Sequence, residues 1–369
     1  MPVTPVVPAT SVKPVIPSPT MAFDFDAAVL APHRMQPGLR RLQPGAAQLT
    51  PALAPQCGMQ RHLREKLAVL GAFRNQALLQ LPGFDAGPAL AVLAAHAAAE
   101  QPQALQIDGA CWHAPWLGWS LDGADEPVAV NPDSGPSDWS AIGPLLADTP
   151  RPWRRAALLS LAFAEDFAVV DGATGTLPWL AVALPSMWAP EDKVGRSFAD
   201  AHAPVADNRL IMNAAPHLLR MVTGAERWER FVWTLTAHPR LHGHPQRVDP
   251  ARWAPGLDDD QLAAQTWWRT ERQTFIPVPG AQQAVFTILV NLTPLGRAFS
   301  QPAQAARVHD ALASMSDAVL AYRGLVQARP ALLRWLARQA GGVWGSAGGG
   351  VGGGVGGGVG GSAAAGPAA

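Results

Sequence analysis

Two segments of the sequence combine charged side chains with residues that restrict the backbone. The first, residues 185–208, contains Lys193 and His202, and the second, residues 267–295, begins Trp-Trp-Arg-Thr-Glu-Arg-Gln-Thr. Imidazole, ammonium and guanidinium groups are the side chains with which proteins bind metal ions and anionic ligands. These two segments therefore hold the main candidates for chemistry.

In the first segment, His202 stands before Ala-Pro-Val, which places its backbone in an extended stretch or at the end of a helix. An isolated histidine is usually a structural hydrogen-bonding group, and a role as a metal ligand is the alternative. Lys193 directly follows Glu191 and Asp192. That order favours a local surface ion pair, which contributes little to stability.

In the second segment, an extended chain places Arg269, Glu271 and Gln273 on one face and Thr270 and Arg272 on the other. An arginine beside a carboxylate can bind a carboxylate ligand, orient a substrate amine, or form an internal pair. The residues alone favour the internal pair and leave the other two roles open.

A third feature is the histidine stretch His-Pro-Arg-Leu-His-Gly-His, with His238, His242 and His244. Imidazoles at this spacing can chelate zinc or iron if a fourth ligand is present. Pro239 and Gly243 exclude a rigid helix that presents all three on one side. A solvated loop is the favoured interpretation.

Composition excludes several classes of protein. The 369 residues carry 28 basic and 28 acidic side chains, so no net field attracts nucleic acid or anionic lipid. The sequence lacks a dinucleotide-binding glycine motif, a phosphate-binding loop, a nucleophile elbow and a His-Glu-x-x-His motif. Its two cysteines match no metal-site spacing, and no apolar run approaches the roughly 18 residues of a membrane span. We expect a cytoplasmic protein with no membrane or nucleic-acid partner.

The periodicity predicts an α+β domain over residues 22–340. Helices are expected at 62–73, 88–100, 302–321 and 330–339, and strands at 166–170, 179–184 and 284–292. Helices at both ends of a strand-rich centre favour an antiparallel sheet with flanking helices. Residues 1–21, rich in proline, are expected to form a disordered arm, and residues 341–369, rich in glycine and alanine, a disordered tail.

Six short motifs follow one another in a fixed order along the sequence. They are Glu165-Asp166, Pro185-Ser186-Met187-Trp188-Ala189-Pro190, Lys193-Val194-Gly195, His202-Ala203-Pro204-Val205, Arg269-Thr270-Glu271-Arg272-Gln273-Thr274 and Phe286-Thr287-Ile288. An early His33–Leu39 stretch and a late Tyr-Arg-Gly-Leu at 322–325 accompany them. In order and residue pattern this set resembles the catalytic α-subunit of the haem-dependent oxidative N-demethylase family, and the similarity covers about residues 23–339.

This resemblance implies a PAS-like α+β core that holds haem b and oxidises a small methylated amine with oxygen, releasing formaldehyde. Electrons would come from a separate flavin and iron–sulfur reductase subunit, since no flavin or iron–sulfur module is visible in this chain.

The roles of individual residues follow from that resemblance. His202 is expected to be the axial iron ligand. Arg269 and Arg272 are candidates to bind the haem propionates, and Lys193 to serve the propionates or the distal pocket. Glu271 or Asp166 would orient the substrate ammonium group.

The sequence also departs from the family pattern. Ala206 stands where the family's histidine motif ends in proline, and Phe275 and the Ile-Pro-Val-Pro run at 276–279 replace the usual continuation of the arginine–glutamate motif. Two other interpretations remain: a haem- or ligand-binding PAS-like sensor without catalysis, and a haem-free interaction protein. The intact polar motifs favour the enzyme and the sensor over the third.

Overall fold

A computed structural model describes residues 23–53, 59–130, 139–202, 206–248 and 253–341, without the side chain of His202. The predicted proline-rich arm and, apart from Gly341, the predicted glycine-rich tail lie outside the described residues. The α-helices within these ranges are α1 (Phe25–Ala28), α2 (Gln60–Ala72), α3 (Arg74–Ala77), α4 (Gly87–Glu100), α5 (Ile142–Asp148), α6 (Arg151–Ala162), α7 (Phe198–His202), α8 (Arg209–Val222), α9 (Asp259–Ala264), α10 (Pro302–Ala313), α11 (Asp317–Tyr322) and α12 (Arg329–Gln339).

The strands form two antiparallel sheets. The larger sheet has the order β1-β9-β10-β11-β7-β8-β2, and the smaller has the order β3-β4-β5-β6. Their bounds are β1 (Arg40–Arg41), β2 (Leu78–Gln80), β3 (Gln106–Asp108), β4 (Cys111–Ala114), β5 (Trp119–Leu121), β6 (Pro127–Ala129), β7 (Asp166–Asp171), β8 (Thr176–Ala181), β9 (Trp228–Thr236), β10 (Trp267–Val278) and β11 (Gln283–Pro294).

The hairpin of β10 and β11 is the centre of the larger sheet. Both strands are 12 residues long, and their register runs without a break from Trp267 opposite Pro294 to Val278 opposite Gln283. Many of their residues are β-branched or aromatic, types that pack well on a pleated surface. Gly280, at φ +78°, allows the backbone conformation that the connecting turn requires.

Two hydrophobic cores hold the helices against this sheet. The larger core joins α2, α4 and α6 to the sheet through residues such as Leu63, Leu159, Phe167 and Trp179. The second core lies under α10, α11 and α12, around the stacked rings of Trp233 and Trp268, whose centroids are 4.8 Å apart. Both cores pack against the larger sheet, and the strand register within it positions the charged residues of β10.

The α+β class and the antiparallel sheet predicted from the sequence are confirmed, and the PAS-like arrangement stays a prediction. Five expected elements form, with each end within two residues of its expected position. They are the helices at 62–73, 88–100 and 330–339 and the strands at 166–170 and 284–292. Within the described ranges, no helix combines the length and apolar character needed to cross a membrane.

Two expectations about elements need correction, and one further region contains elements that the sequence did not predict. The single helix expected over 302–321 is two helices, because Ser316 caps the second by accepting a hydrogen bond from Val319 N. The strand expected at 179–184 is β8, which begins at Thr176 and ends at Ala181, where its pairing with β7 stops. The region 111–152, which shows little periodicity, contains β4, β5, β6 and α5, whose elements are too short to give a clear pattern.

Candidate functional site

The alternation of β10 places Arg269, Glu271 and Gln273 on one face of the larger sheet, as predicted. We call the central part of this surface the Glu271 face. The strand register adds residues from β9 and β11: Glu271 lies opposite Val232 and Val290, and Gln273 lies opposite Arg230 and Ile288. The Glu271 face therefore consists of Arg230, Val232, Glu271, Gln273, Ile288 and Val290.

Glu271 is half-buried and accepts a hydrogen bond from Gln273 Nε2 at 2.6 Å. In the described part of the chain Glu271 forms no ion pair within 4.0 Å. Its negative charge nevertheless acts on Arg230 and Arg269, because it opposes the lowering of their pKa values by burial. The internal Arg–Glu pair that the sequence favoured is thus not formed by Glu271. Its carboxylate, oriented by Gln273, remains able to hold a cationic ligand.

Arg269 ties β10 to two loops. Its Nε donates to Ser186 Oγ at 2.8 Å, its Nη1 to the Arg240 carbonyl at 3.1 Å, and its Nη2 to the carbonyls of Leu241 and Pro185 at 2.7 and 3.2 Å. Burial lowers the pKa of Arg269 to about 10. Four acceptors already use most of the guanidinium's five N–H donors.

The same two loops meet directly at Gly243. Its backbone exchanges hydrogen bonds with residues 185 and 187, at 2.8 and 2.9 Å. A Cβ at this position would lie 2.8 Å from the Pro185 carbonyl oxygen, so the close approach requires glycine. The Pro-Ser-x-Trp motif and the histidine stretch, far apart in sequence, are therefore one packed unit.

The histidine stretch is a loop, as predicted, but the expectation that it is solvated is wrong. His238 and His244 are 8% and 1% exposed, because the loop packs between α2 and the segment after β8. His244 Nε2 lies 3.0 Å from both carboxylate oxygens of Glu191. The three histidines thus have separate partners, and no group of three or more potential ligands in the described residues could hold a metal ion.

His242 differs from His238 and His244 in having a buried ring nitrogen without a hydrogen-bond partner. Its Nδ1 lies 2.7 Å from the Ala183 carbonyl oxygen, which can only accept, so Nδ1 carries the hydrogen. Its Nε2 is buried and has no hydrogen-bond partner. Burial lowers the pKa of His242, so the neutral ring presents an unshared electron pair at Nε2. A histidine held this way has the tautomer that metal-ligating histidines use.

Arg272 lies on the opposite face of the sheet in a network of ion pairs. Its Nη2 and Nε donate to Glu229 Oε2 at 2.9 and 3.1 Å, and its Nη1 to the Ala47 carbonyl at 2.8 Å. The other oxygen of Glu229 pairs with Arg40 at 2.9 Å, and Arg40 pairs with Asp24 at 2.6 Å. Arg272 therefore links the N-terminal segment to the sheet.

Arg230 has no comparable partner. It lies on the Glu271 face, and no atom of its guanidinium donates a hydrogen bond or forms an ion pair within the described residues. Its Nε is inaccessible to solvent, and burial lowers its pKa against the opposing effect of Glu271. Sequence reasoning missed this residue, although its place in the alternating strand Trp-Glu-Arg-Phe-Val-Trp gave a signal.

A second group of ionisable residues surrounds the end of α11. Tyr322 is 52% exposed, and both Arg323 and Glu271 influence its pKa, which burial raises. Arg323 has a buried Nη1 without a hydrogen bond, but its guanidinium lies 5.5 Å from the ring centroid of Trp233. Burial and Arg323 lower the pKa of His33 to about 4, so His33 is neutral at pH 7. The early and late motifs noted in the sequence thus meet in space.

Asp166 lies at the start of β7 in a fully buried cluster. Its Oδ2 accepts from Leu184 N at 2.6 Å, and its Oδ1 lies 3.2 Å from Lys66 Nζ, which also donates to the carbonyls of Phe163 and Glu165. Burial lowers the pKa of Lys66 and raises that of Glu165 to about 7. Sequence reasoning missed Lys66 because its helix position is indistinguishable from other core-facing ones.

Lys193 and His202 are linked through α7. Lys193 Nζ donates to the Ala201 carbonyl at 2.5 Å, and burial lowers the pKa of Lys193. The predicted surface pair with a neighbouring carboxylate is not formed, because this helix end offers Lys193 a closer acceptor. His202 is the last residue of α7, and its side chain lies outside the described part of the structure.

The fold and the site define an α+β protein whose antiparallel sheet carries a half-buried acidic and basic face. A family model described as haem-dependent oxidative N-demethylase, alpha subunit-like, matches residues 147–333. This range includes β7 to β11 and every residue of the Glu271 face. The chain belongs to this family.

Proposed function

We propose that the protein catalyses the haem-dependent oxidative N-demethylation of a small methylated amine, with oxygen consumed and formaldehyde released. Family membership over residues 147–333 is the observation that carries this proposal. The half-buried Glu271 carboxylate supports it, since a protonated amine is the complementary ligand.

The described residues fit a haem group in their donor types. Haem needs an axial ligand, an apolar surface and cationic partners for its propionates. His242 offers a buried, unpartnered Nε2, and Arg230 offers unpartnered N–H donors. The apolar surface that the Glu271 face offers is the half-buried Val232, since Ile288 and Val290 already pack in the larger core. We propose haem b as the cofactor, with His202 as the axial ligand and His242 as the alternative.

Haem, when bound, would supply the oxygen activation that an N-methyl oxidation requires. The residues of this chain would hold and orient the amine. Glu271 is the better candidate for the ammonium group than Asp166, because both oxygens of Asp166 already face Lys66 or Leu184 N. Lys193, half-buried beside α7, is proposed to serve the propionates or the distal pocket. Arg269 and Arg272 keep their proposed propionate role, although both already donate several hydrogen bonds within the chain.

Electrons are proposed to come from a separate flavin and iron–sulfur reductase subunit, in line with the α-subunit-like description of the family. We propose a cytoplasmic location for this assembly.

The visible spectrum of protein purified from cells supplied with a haem precursor tests the cofactor. A Soret band that is lost or shifted in His202→Ala but kept in His242→Ala supports His202 as the ligand, and the reverse result assigns His242. Protein that stays colourless with added haemin refutes the cofactor. Formaldehyde release from methylated amines with an artificial reductant, reduced in Glu271→Gln, then separates the enzyme from a haem-binding sensor.

A further inference from the structure

The guanidinium of Arg230 lacks any acceptor in the described structure. Its Nε is buried, and no carbonyl, carboxylate or aromatic ring of the described residues contacts the guanidinium as a partner. Buried polar groups in native proteins are almost always hydrogen-bonded, since leaving one unpaired costs free energy, and more for a charged group. The unpaired, buried Nε of Arg230 therefore indicates a partner that the described residues do not supply.

The surroundings of Arg230 identify the chemistry of that partner. A guanidinium binds planar anions, carboxylates above all, through parallel N–H donors. The charge of Glu271, on the next strand, raises the pKa of Arg230 against the lowering effect of burial, but Glu271 lies beyond ion-pair distance and accepts a hydrogen bond from Gln273. Glu271 accepts a hydrogen bond from Gln273 through one oxygen and forms no ion pair with Arg230. Both charged groups can therefore still bind a ligand that lies on the face of β9 and β10.

Other arginines of the family motifs do not have this property. Arg269 is bonded to three carbonyls and a hydroxyl, and Arg272 is bonded to Glu229 and a carbonyl. Arg323, also with an unpaired N–H, lies over the ring of Trp233. Arg230 is thus a half-buried arginine on the Glu271 face, with its Nε inaccessible to solvent and no hydrogen bond from its guanidinium to the described residues.

We propose that Arg230 binds a carboxylate group of the ligand held on the Glu271 face. Two carboxylate sources are consistent with this chemistry: a propionate of the haem, which rests on the proposed function, or a carboxylate on the amine itself. In the second case Glu271 binds the ammonium and Arg230 the carboxylate of one zwitterion, and the substrate class is an N-methylated amino acid.

The first test is the stability of the ligand-free protein. Arg230→Met keeps the aliphatic stem but removes the unpaired charge, so its free energy of unfolding should equal or exceed that of the wild type. Arg334→Gln, which removes an exposed arginine paired with Asp259, is the control. A clear loss of stability in Arg230→Met would mean that Arg230 has a structural partner and would overturn the proposal.

The second test compares ligands with and without the carboxylate. In one arm, haem b and its dimethyl ester are titrated by absorbance; in the other, N-methylglycine and dimethylamine are titrated by calorimetry without haem. The wild type should prefer the carboxylate form about 10- to 100-fold in one arm, and Arg230→Met should lose that preference.

The arm in which the preference disappears identifies the carboxylate source. The proposal would be overturned if wild type and Arg230→Met preferred the carboxylate form equally in both arms. It would also be overturned if the wild type showed no preference for the carboxylate form in either arm. A wild type that binds no haem refutes the proposed function, yet the calorimetric arm still tests Arg230.

Discussion

Glu165 makes the stability of this protein depend on pH in a direction that can be measured. Its side chain is 1% exposed, its Oε2 accepts from Thr50 N at 2.9 Å, and its Oε1 has no hydrogen-bond partner. Burial raises the pKa of Glu165 from 4.5 to about 7, so the folded state retains a proton that the unfolded state has lost. Stability must therefore fall as the pH rises through this interval.

The size of the effect follows from the two pKa values. One pH unit between them corresponds to about 1.4 kcal/mol, so ionising Glu165 in the folded protein costs about 3 kcal/mol. The cost is absent below pH 4.5, grows between pH 4.5 and 7, and is complete above pH 7. In the Glu165→Gln variant this side chain is uncharged at every pH, so the variant's free energy of unfolding does not include the cost of ionising Glu165.

The assay is denaturant unfolding of both proteins between pH 5 and pH 8. The difference in free energy of unfolding, variant minus wild type, should increase by about 3 kcal/mol across the full titration. His33 and His62, whose pKa values burial lowers to about 4, give stability that rises with pH, but they are present in both proteins and cancel.

The control is Glu226→Gln, which removes the same charge from a side chain that is 57% exposed. Its difference from wild type should change much less over this range. A Glu165→Gln difference that stays constant from pH 5 to pH 8 would show that the folded pKa is ordinary, and the reasoning about burial would be wrong.

Four further substitutions test the buried ion pair, the packing at two glycines and a helix cap. Lys66→Met leaves Asp166 buried without its cation and should lower the free energy of unfolding by about 3–5 kcal/mol; a loss below about 1 kcal/mol would contradict the buried pair. Gly143→Ala places a Cβ 2.0 Å from the Trp119 ring and should cost about 1–3 kcal/mol, whereas Gly71→Ala, in open space within α2, should stabilise by about 0.5–1 kcal/mol. Ser316→Ala removes the acceptor for Val319 N at the start of α11 and should cost about 1 kcal/mol in thermal or denaturant unfolding. Equal stability of the two glycine variants, or no effect at Ser316, would refute the contacts described.

The sequence alone predicted the features that depend on neighbours along the chain. The apolar spacing of α2 and α4 and the β-branched run of β11 have the periods of their elements, and the structure confirms all three. The two-residue alternation also placed Arg269, Glu271 and Gln273 on one face, since successive side chains of a strand point to opposite sides. The motif order indicated the family that the match over residues 147–333 confirms.

Only the tertiary structure decided which of these charged groups are free. Arg269 and Arg272 look equivalent in the sequence to any exposed arginine, but loops 28–84 residues away supply the carbonyls that bind Arg269, and Glu229 binds Arg272. Arg230 of β9, which no sequence motif singles out, is the arginine of the Glu271 face that has no hydrogen-bond acceptor among the described residues. Hydrogen-bond partners and burial depend on contacts between segments that are distant in the sequence. They therefore cannot be predicted from the spacing of residues along the chain.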